Sequence, residues 1–210
     1  MNRGFLKYVF ILSLIFIIIF SLKTEPILSD EIDWEIIEEE SQKKIENEDK
    51  SKTIIISRFE LAIAQANLGK VEESYEQIQI LGEKDEEKTR NIIENRLSSI
   101  PEEQEIMRLN YLGFLALIDK KYEDSIKHYN ALIELEPENA NIYNYLAASH
   151  IELEELDKAS SILDQALEIE DNSYSHVLYS IVHKERGNYI KALNSLNKSG
   201  KLFQFIDEIF

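Results

Sequence analysis

The chain has 210 residues, with 40 acidic against 23 basic side chains, no cysteine, six glycines and three prolines. Its net charge of −17 would repel a phosphate backbone and argues against nucleic acid as a partner, while the lack of cysteine excludes disulfides, thiolate metal sites and cysteine nucleophiles. Because turn-forming residues are too few to close many hairpins, the composition favours an all-α fold.

The first 24 residues predict a membrane segment. Arg3 and Lys7 precede an apolar run without a charged residue at 8–22, which is the order of an export signal. The stretch 5–22 approaches the roughly 30 Å hydrocarbon thickness only if Lys7 reaches the headgroups. Candidate cleavage positions carry bulky residues, so we expect an uncleaved transmembrane anchor at 1–24, with a cleaved signal peptide and secretion as the alternative. The basic residues come first, which predicts a single-pass membrane protein with its C-terminal domain extracytoplasmic.

Residues 25–52 predict an acidic linker. They hold eleven acidic residues and four lysines with little apolar content, a composition typical of a solvated spacer. The alternative is that Trp34, Ile36 and Ile37 dock on the folded domain or on a partner.

The remaining residues, 53–210, contain an internal period. One copy combines a Leu-Gly pair, a small residue, an aromatic residue and a proline at Leu112-Gly113, Ser125, Tyr129 and Pro137. In the next copy Ala159 lies 34 residues after Ser125, and in a third Ala192 lies 33 residues further on. An upstream copy has its small residue, Ser74, 51 residues before Ser125. This order and spacing resemble the tetratricopeptide repeat family, most strongly over 107–170.

The resemblance implies an all-α fold, a right-handed superhelix of antiparallel helix pairs with three to four repeats. We place these repeats at about 55–84, 106–139, 140–172 and 173–200, with an apolar C-terminal capping helix at 201–210. An extra helix at about 86–97 would fill the irregular gap. The alternative is a plain amphipathic helical bundle.

Small residues are expected where the two helices of each pair approach closely. They are Ala62, Gly113, Ala147 and Ser180 on the first helices, with Ser74, Ser125, Ala159 and Ala192 on the second. Turns within the pairs are predicted at Gly69-Lys70, Asp119-Lys120, Glu154-Glu155 and Gly187-Asn188.

No residue pattern predicts catalysis, a cofactor or a small-molecule substrate. Metalloprotease, nucleophile-elbow, phosphate-loop and dinucleotide motifs are all missing from the sequence. The four histidines, His128, His150, His176 and His183, are interpreted as packing or surface groups rather than metal ligands. We therefore expect a non-enzymatic protein without a metal.

Stacked repeats create a concave groove lined by the first helix of each pair. By resemblance the groove residues are Asn110, Tyr111, Phe114, Leu117, Asn141, Asn144, Tyr145, Ala148, Tyr174, Val177, Leu178 and Ile181. We refer to these twelve as the predicted groove. Its aromatic and amide side chains suit an extended peptide or an amphipathic helix, and its lack of Lys and Arg argues against an acidic tail.

Tyr111, Phe114 and Tyr145 are the expected anchors of the predicted groove, so truncating Tyr145 should weaken partner binding and leave the fold intact. Alternatively, the C-terminal helix or the acidic linker covers this surface.

The sequence thus predicts a membrane-tethered scaffold that binds a protein or peptide partner. A first alternative is a structural subunit that oligomerises through its terminal repeat and residues 203–210. A second is an N-anchored receptor that faces the cytosol.

Overall fold

A computed structural model describes residues 32–200. Within this range the chain forms ten α-helices and no strand. The helices are α1 (Trp34–Asn47), α2 (Ser51–Asn67), α3 (Val71–Gly82), α4 (Glu86–Ser99), α5 (Glu105–Ile118), α6 (Tyr122–Leu135), α7 (Ala140–Glu152), α8 (Leu156–Ile169), α9 (Ser173–Glu185) and α10 (Tyr189–Lys198). The predicted anchor at 1–24 and capping helix at 201–210 lie outside the described residues. None of the helices between 32 and 200 has the length and apolar character needed to cross a membrane.

The helices form an all-α solenoid of antiparallel pairs. Four pairs, α2–α3, α5–α6, α7–α8 and α9–α10, each join two packed helices through a short turn. They begin within a few residues of the predicted repeats. Helix α4 stands between the first and second pairs, which confirms the extra helix predicted at 86–97.

The turns inside the four pairs share one backbone geometry. Gly69, Lys120, Glu154 and Gly187 all adopt positive φ angles between 57° and 72°. The next residue in each turn donates its backbone N–H to a carbonyl five residues earlier, at 2.8 to 2.9 Å. Such a bond is typical of helix C-termini where a residue just after the helix adopts the left-handed conformation. The four predicted turns are confirmed.

The small residues predicted at the close helix approaches are buried in the structure. In the first pair the Ser74 hydroxyl donates a 2.8 Å hydrogen bond to the Ala62 carbonyl oxygen. In the third pair Ala147 and Ala159 belong to one apolar cluster and have no exposed surface. At Gly113, a Cβ atom would lie 3.0 Å from the Tyr129 ring. Small side chains therefore set the distance between neighbouring helices, because a larger group would meet its neighbour.

Helix α1 occupies part of the predicted acidic linker, so the solvated spacer is corrected over Trp34–Asn47. The Asp33 carboxylate accepts a 3.1 Å hydrogen bond from the backbone N–H of Ile36 and caps the helix. Trp34 is 7% exposed and Ser41 1%. Most side chains of this helix are charged and face water, and only a narrow stripe with Trp34 and Ser41 faces the core. The composition of the segment is therefore close to that of a solvated spacer, although the segment packs as a helix.

The docking alternative for this segment holds for two of its three residues. Trp34 belongs to the main core cluster and Ile37 packs against it, whereas Ile36 is 53% exposed. Helix α1 packs along α2. The Lys70 ammonium, at the start of α3, pairs with the Glu38 carboxylate at 2.6 Å.

Candidate functional site

The predicted groove residues lie on α5, α7 and α9, the first helices of three successive pairs. Six of the twelve are buried: Asn110, Tyr111, Phe114, Asn141, Asn144 and Leu178. The other six are partly buried: Leu117, Tyr145, Ala148, Tyr174, Val177 and Ile181. The surface that these residues were expected to offer to a partner is thus largely covered.

Tyr145 stands at the centre of a cluster of aromatic rings. Its ring centroid lies 5.4 Å from that of Phe114, 5.7 Å from Tyr129 and 5.9 Å from Tyr174. Burial raises the pKa of the Tyr145 phenol well above its ordinary value, while a side-chain hydrogen bond with Ser74 of α3 opposes this shift. The cluster joins three of the helix pairs, so Tyr145 contributes to the packing between repeats.

Tyr111 belongs to the core, which corrects its assignment as a groove anchor. It has no exposed surface, and its ring contacts the Phe59 ring of α2 at a centroid distance of 5.0 Å. Its hydroxyl donates a 3.0 Å hydrogen bond to Glu60 Oε1, which also accepts a 2.9 Å bond from Arg96 Nε of α4. Burial and the neighbouring Glu60 carboxylate raise the pKa of the Tyr111 phenol.

The amides of the predicted groove bind the end of α2. Asn67 donates a 2.8 Å hydrogen bond to the Asn110 side chain and accepts a 3.1 Å bond from the Asn139 side chain. The Asn141 side chain donates a 3.1 Å bond to the backbone carbonyl of Asn67. The sequence predicted that these amides suit an extended peptide or an amphipathic helix of a partner, and here the chain's own helix α2 takes that place.

Helix α2 therefore covers part of the groove, since it contacts both α5 and α7. The alternative of a groove covered by the chain itself had named other segments, the C-terminal helix and the acidic linker. Sequence reasoning missed α2 because its face repeats the pattern of an ordinary first helix, and that pattern does not reveal which helices it crosses.

A second amide cluster holds α7 against the start of α9. The Asn144 side chain donates a 3.2 Å hydrogen bond to Asn172, and the Ser175 hydroxyl donates a 2.7 Å bond to Asn144. Asn172 also caps α9 by accepting a 2.9 Å bond from the backbone N–H of Ser175. Asn144 is thus engaged within the domain.

One part of this face remains open, between the start of α3 and the start of α9. It is a cleft of about 240 Å³, lined by Gly69, Val71, Glu72, Tyr75, Ser173, Tyr174 and Val177. We call it the α3–α9 cleft. Tyr174 and Val177 come from the predicted groove, and burial raises the pKa of the Tyr174 phenol to about 12.

Tyr75 is the exposed aromatic side chain of this cleft, at 62%. Sequence reasoning missed it, although a signal was present. The repeat pattern places Ser74 against α2, and successive residues of an α-helix lie about 100° apart around its axis. Tyr75 consequently points away from its own helix pair.

The histidines make local contacts. His150 Nδ1 lies 2.6 Å from Glu155 Oε2, and His176 Nε2 lies 2.7 Å from Asp171 Oδ1. Within residues 32–200, the structure contains no group of three or more His, Asp or Glu side chains that could hold a metal ion.

Known proteins resemble this chain through its helical repeats. A tetratricopeptide repeat model matches residues 116–180, from the end of α5 into α9. No curated protein sequence matches the chain.

The solved structures that resemble this chain include several that carry the name MamA. "MamA 41-end from Desulfovibrio magneticus RS-1" is 15% identical, with a TM-score of 0.52 over 81% of this chain and 95% of that one. "MamA AMB-1 C2221" is 16% identical, with a TM-score of 0.47 over 80% and 98% of the two chains. "MamA MSR-1 C2" is 17% identical, with a TM-score of 0.44 over 81% and 87%. At 15% identity the likeness to the first of these structures, whose TM-score is 0.52, concerns the fold alone, and with the repeat match it agrees with an all-α solenoid of tetratricopeptide type.

Proposed function

We propose that this protein is a membrane-tethered scaffold that binds a peptide or helix of a partner protein in the α3–α9 cleft. Its tetratricopeptide-type fold supports a role in protein–protein interaction. The observation that carries the proposal is the exposed Tyr75 ring beside an apolar opening, on a face that the chain itself largely covers elsewhere.

The lining of the cleft indicates the chemistry of the partner segment. Val71, Tyr75, Tyr174 and Val177 offer apolar and aromatic surface, and aromatic side chains commonly dominate binding energy. Glu72 lies at the same cleft and the whole chain has a net charge of −17, which disfavours an acidic segment. The proposed ligand is therefore an apolar segment that is neutral or basic.

The membrane tether is proposed from residues 1–24. If this segment is an uncleaved anchor, alkaline extraction should leave the protein in the membrane fraction, and the mature protein should keep residues 1–22. Protease digestion of sealed vesicles tests the orientation. If the domain resists protease added on the cytoplasmic side, the extracytoplasmic orientation is supported. Digestion of the domain from that side favours a receptor that faces the cytosol.

Site-specific photocrosslinking tests the binding site. A photoreactive amino acid is placed at Tyr75 in the full-length chain and, as a matched control, at Ile36, an exposed apolar residue on α1. We expect a discrete crosslinked partner from position 75 and none from position 36. That partner, once identified and purified, should bind the Tyr75→Ala variant roughly 5- to 100-fold more weakly than the native chain.

The Ile36→Ala variant should bind the partner as the native chain does. Equal affinity of the Tyr75→Ala variant and the native chain would reject the α3–α9 cleft as the binding site.

A specific observation also favours a second function, that of a structural subunit which oligomerises through its terminal repeat. Tyr189 and Ile190, at the start of α10, are 51% and 77% exposed. Mass measurement of the full-length chain in solution distinguishes the two functions. A stable oligomer that dissociates on Ile190→Asp substitution or on removal of 203–210 supports the structural role.

A further inference from the structure

The described part of the chain ends beside the α3–α9 cleft. The Ser173 hydroxyl, which lines the cleft, donates a 2.7 Å hydrogen bond to the backbone carbonyl of Ser199, the residue that follows α10. Val177 also lines the cleft, and it packs against Ala192 and Leu196 of α10. The end of α10 thus lies directly against the α9 wall of the cleft.

Gly200 turns the chain away from the axis of α10. Its φ angle of 72° lies in the left-handed region, and its backbone N–H donates a 3.2 Å hydrogen bond to the Asn197 carbonyl. A left-handed residue just after a helix ends the helix and changes the direction of the chain. The segment 201–210 therefore starts beside Ser173 and needs no linker to reach the cleft, since each residue spans up to about 3.5 Å.

The sequence of 201–210 predicts an amphipathic helix. Its apolar residues recur at spacings of three and four, which places them on one helix face: Leu202, Phe205, Ile206 and Ile209. Its polar residues at the centre fall on the opposite face: Gln204, Asp207 and Glu208. Such a helix can turn its apolar face to the cleft and its carboxylates to water, so the acidic residues do not oppose contact with a cleft that contains Glu72.

The size of the cleft suits side chains of a chain segment. Its volume of about 240 Å³ is below the roughly 300 to 1,000 Å³ of sites that bury a drug-sized ligand. Tyr75 exposes an aromatic ring on the α3 wall, and Val177 contributes an apolar side chain on the α9 wall. A few apolar side chains from the adjacent segment would fill this space.

We propose that residues 201–210 dock in the α3–α9 cleft, between Tyr75 of α3 and Val177 of α9, and so compete with the partner segment. A segment tethered this closely acts at an effective concentration of about millimolar, so a partner has to displace it. The docking stands without the function proposed above, whereas the competition rests on that function.

Disulfide trapping in the full-length chain tests the docking, because the chain has no native cysteine. Val71→Cys on the α3 wall is combined with a second cysteine in four separate variants, at Leu202, Phe203, Phe205 or Ile209. We expect a mild oxidant to form an intramolecular disulfide in at least one of them, since this bond requires Cα atoms within about 7 Å. In the matched control, Ile92→Cys on α4 replaces Val71→Cys, because both side chains are partly buried.

Three results of the trapping experiment would overturn the proposal. One is the absence of a disulfide with Val71→Cys in all four variants. Another is an equal rate of disulfide formation with Ile92→Cys. The third is a disulfide found only in covalent dimers, because the occupant of the cleft would then be a second copy of the chain.

Two charge variants test the apolar face of the segment. Ile206→Asp adds a negative charge to that face, and Gln204→Asp adds the same charge to the opposite face. Ile206→Asp should slow the trapping roughly 5- to 20-fold, because it places a charge in an apolar contact, and Gln204→Asp should leave the rate unchanged. Equal rates in the two variants would reject a docked apolar face.

The same variants test the competition. The partner captured from position 75 should bind Ile206→Asp roughly 3- to 10-fold more tightly than the native chain, and Gln204→Asp with native affinity. Equal partner affinity of the two variants would overturn the competition. If trapping succeeds while Tyr75→Ala leaves partner affinity unchanged, the docking stands and the function proposed for the cleft fails.

Discussion

The side-chain amide of Asn67 donates a 2.8 Å hydrogen bond to the side-chain oxygen of Asn110 and so joins α2 to α5 across 43 residues. Asn67 also accepts a hydrogen bond from Asn139 and receives one at its carbonyl from Asn141. This single residue connects the first helix pair to two later pairs.

Asn67→Ala should lower the free energy of unfolding by about 1 to 3 kcal/mol, because it leaves buried amides without partners. Urea denaturation measures the change. Asn130→Ala is the control, since Asn130 is exposed and bonds only the carbonyl of Ile126 in its own helix. An equal loss of unfolding free energy in both variants would contradict a stabilising role for the hydrogen bonds of Asn67.

Tyr145→Ala should lower the free energy of unfolding by about 3 kcal/mol, the low end of the range for truncated aromatic core side chains, because Tyr145 is only partly buried. The reason is that its ring contacts Phe114, Tyr129 and Tyr174. Tyr75→Ala should change stability by no more than about 0.5 kcal/mol, because Tyr75 is 62% exposed. An unchanged free energy of unfolding in Tyr145→Ala would indicate that Tyr145 belongs to the binding surface and not to the packing between repeats.

Two buried tyrosines should respond in opposite ways to loss of the hydroxyl group. The Tyr129 hydroxyl has no hydrogen-bond partner among the residues that the structure describes, so Tyr129→Phe should raise the free energy of unfolding by up to about 1 kcal/mol. Tyr111→Phe should lower it by about 1 to 2 kcal/mol, because the bond to Glu60 is lost. Calorimetric melting of both variants provides the comparison, and a shift of the same sign in both would contradict it.

Lys120→Gly and Glu154→Gly should each stabilise the domain by about 0.5 to 1 kcal/mol. Both side chains are exposed, and their φ angles of 57° and 59° lie in the left-handed region that glycine adopts without strain. Gly187→Ala, at the equivalent turn, should destabilise by a similar amount. Melting temperatures that move the opposite way would exclude backbone strain at these turns.

The stability of the domain should fall as the pH drops below about 6.5, in part through His183. Burial, followed by the nearby Lys191 and Arg186, lowers the pKa of the His183 imidazole in the folded state. The unfolded chain therefore binds more protons in this range, so this contribution is present above about pH 6.5 and is lost as the pH falls toward the lower pKa. His183→Gln should flatten the pH profile of urea denaturation below about pH 6.5. An unchanged profile would rule out His183 as a source.

The local features of the fold followed from the sequence by itself. Small residues such as Ala62 and Ala159 identified the close helix approaches, because only short side chains permit them. The turns at Gly69 and Lys120 were predicted from residues typical of turns, and the extra helix α4 from the irregular spacing between two repeats. These features depend on contacts between residues that lie within a few tens of positions in the sequence. The repeat pattern therefore predicts them.

The tertiary structure alone decided what covers each helix face. The sequence identifies Tyr111 and Asn110 as belonging to one side of α5, but not that Phe59 and Asn67 of α2 meet them there. For the same reason a charged segment turned out to be a helix that buries Trp34. Helical periodicity assigns a side chain to a face, whereas burial depends on which distant helix packs on that face.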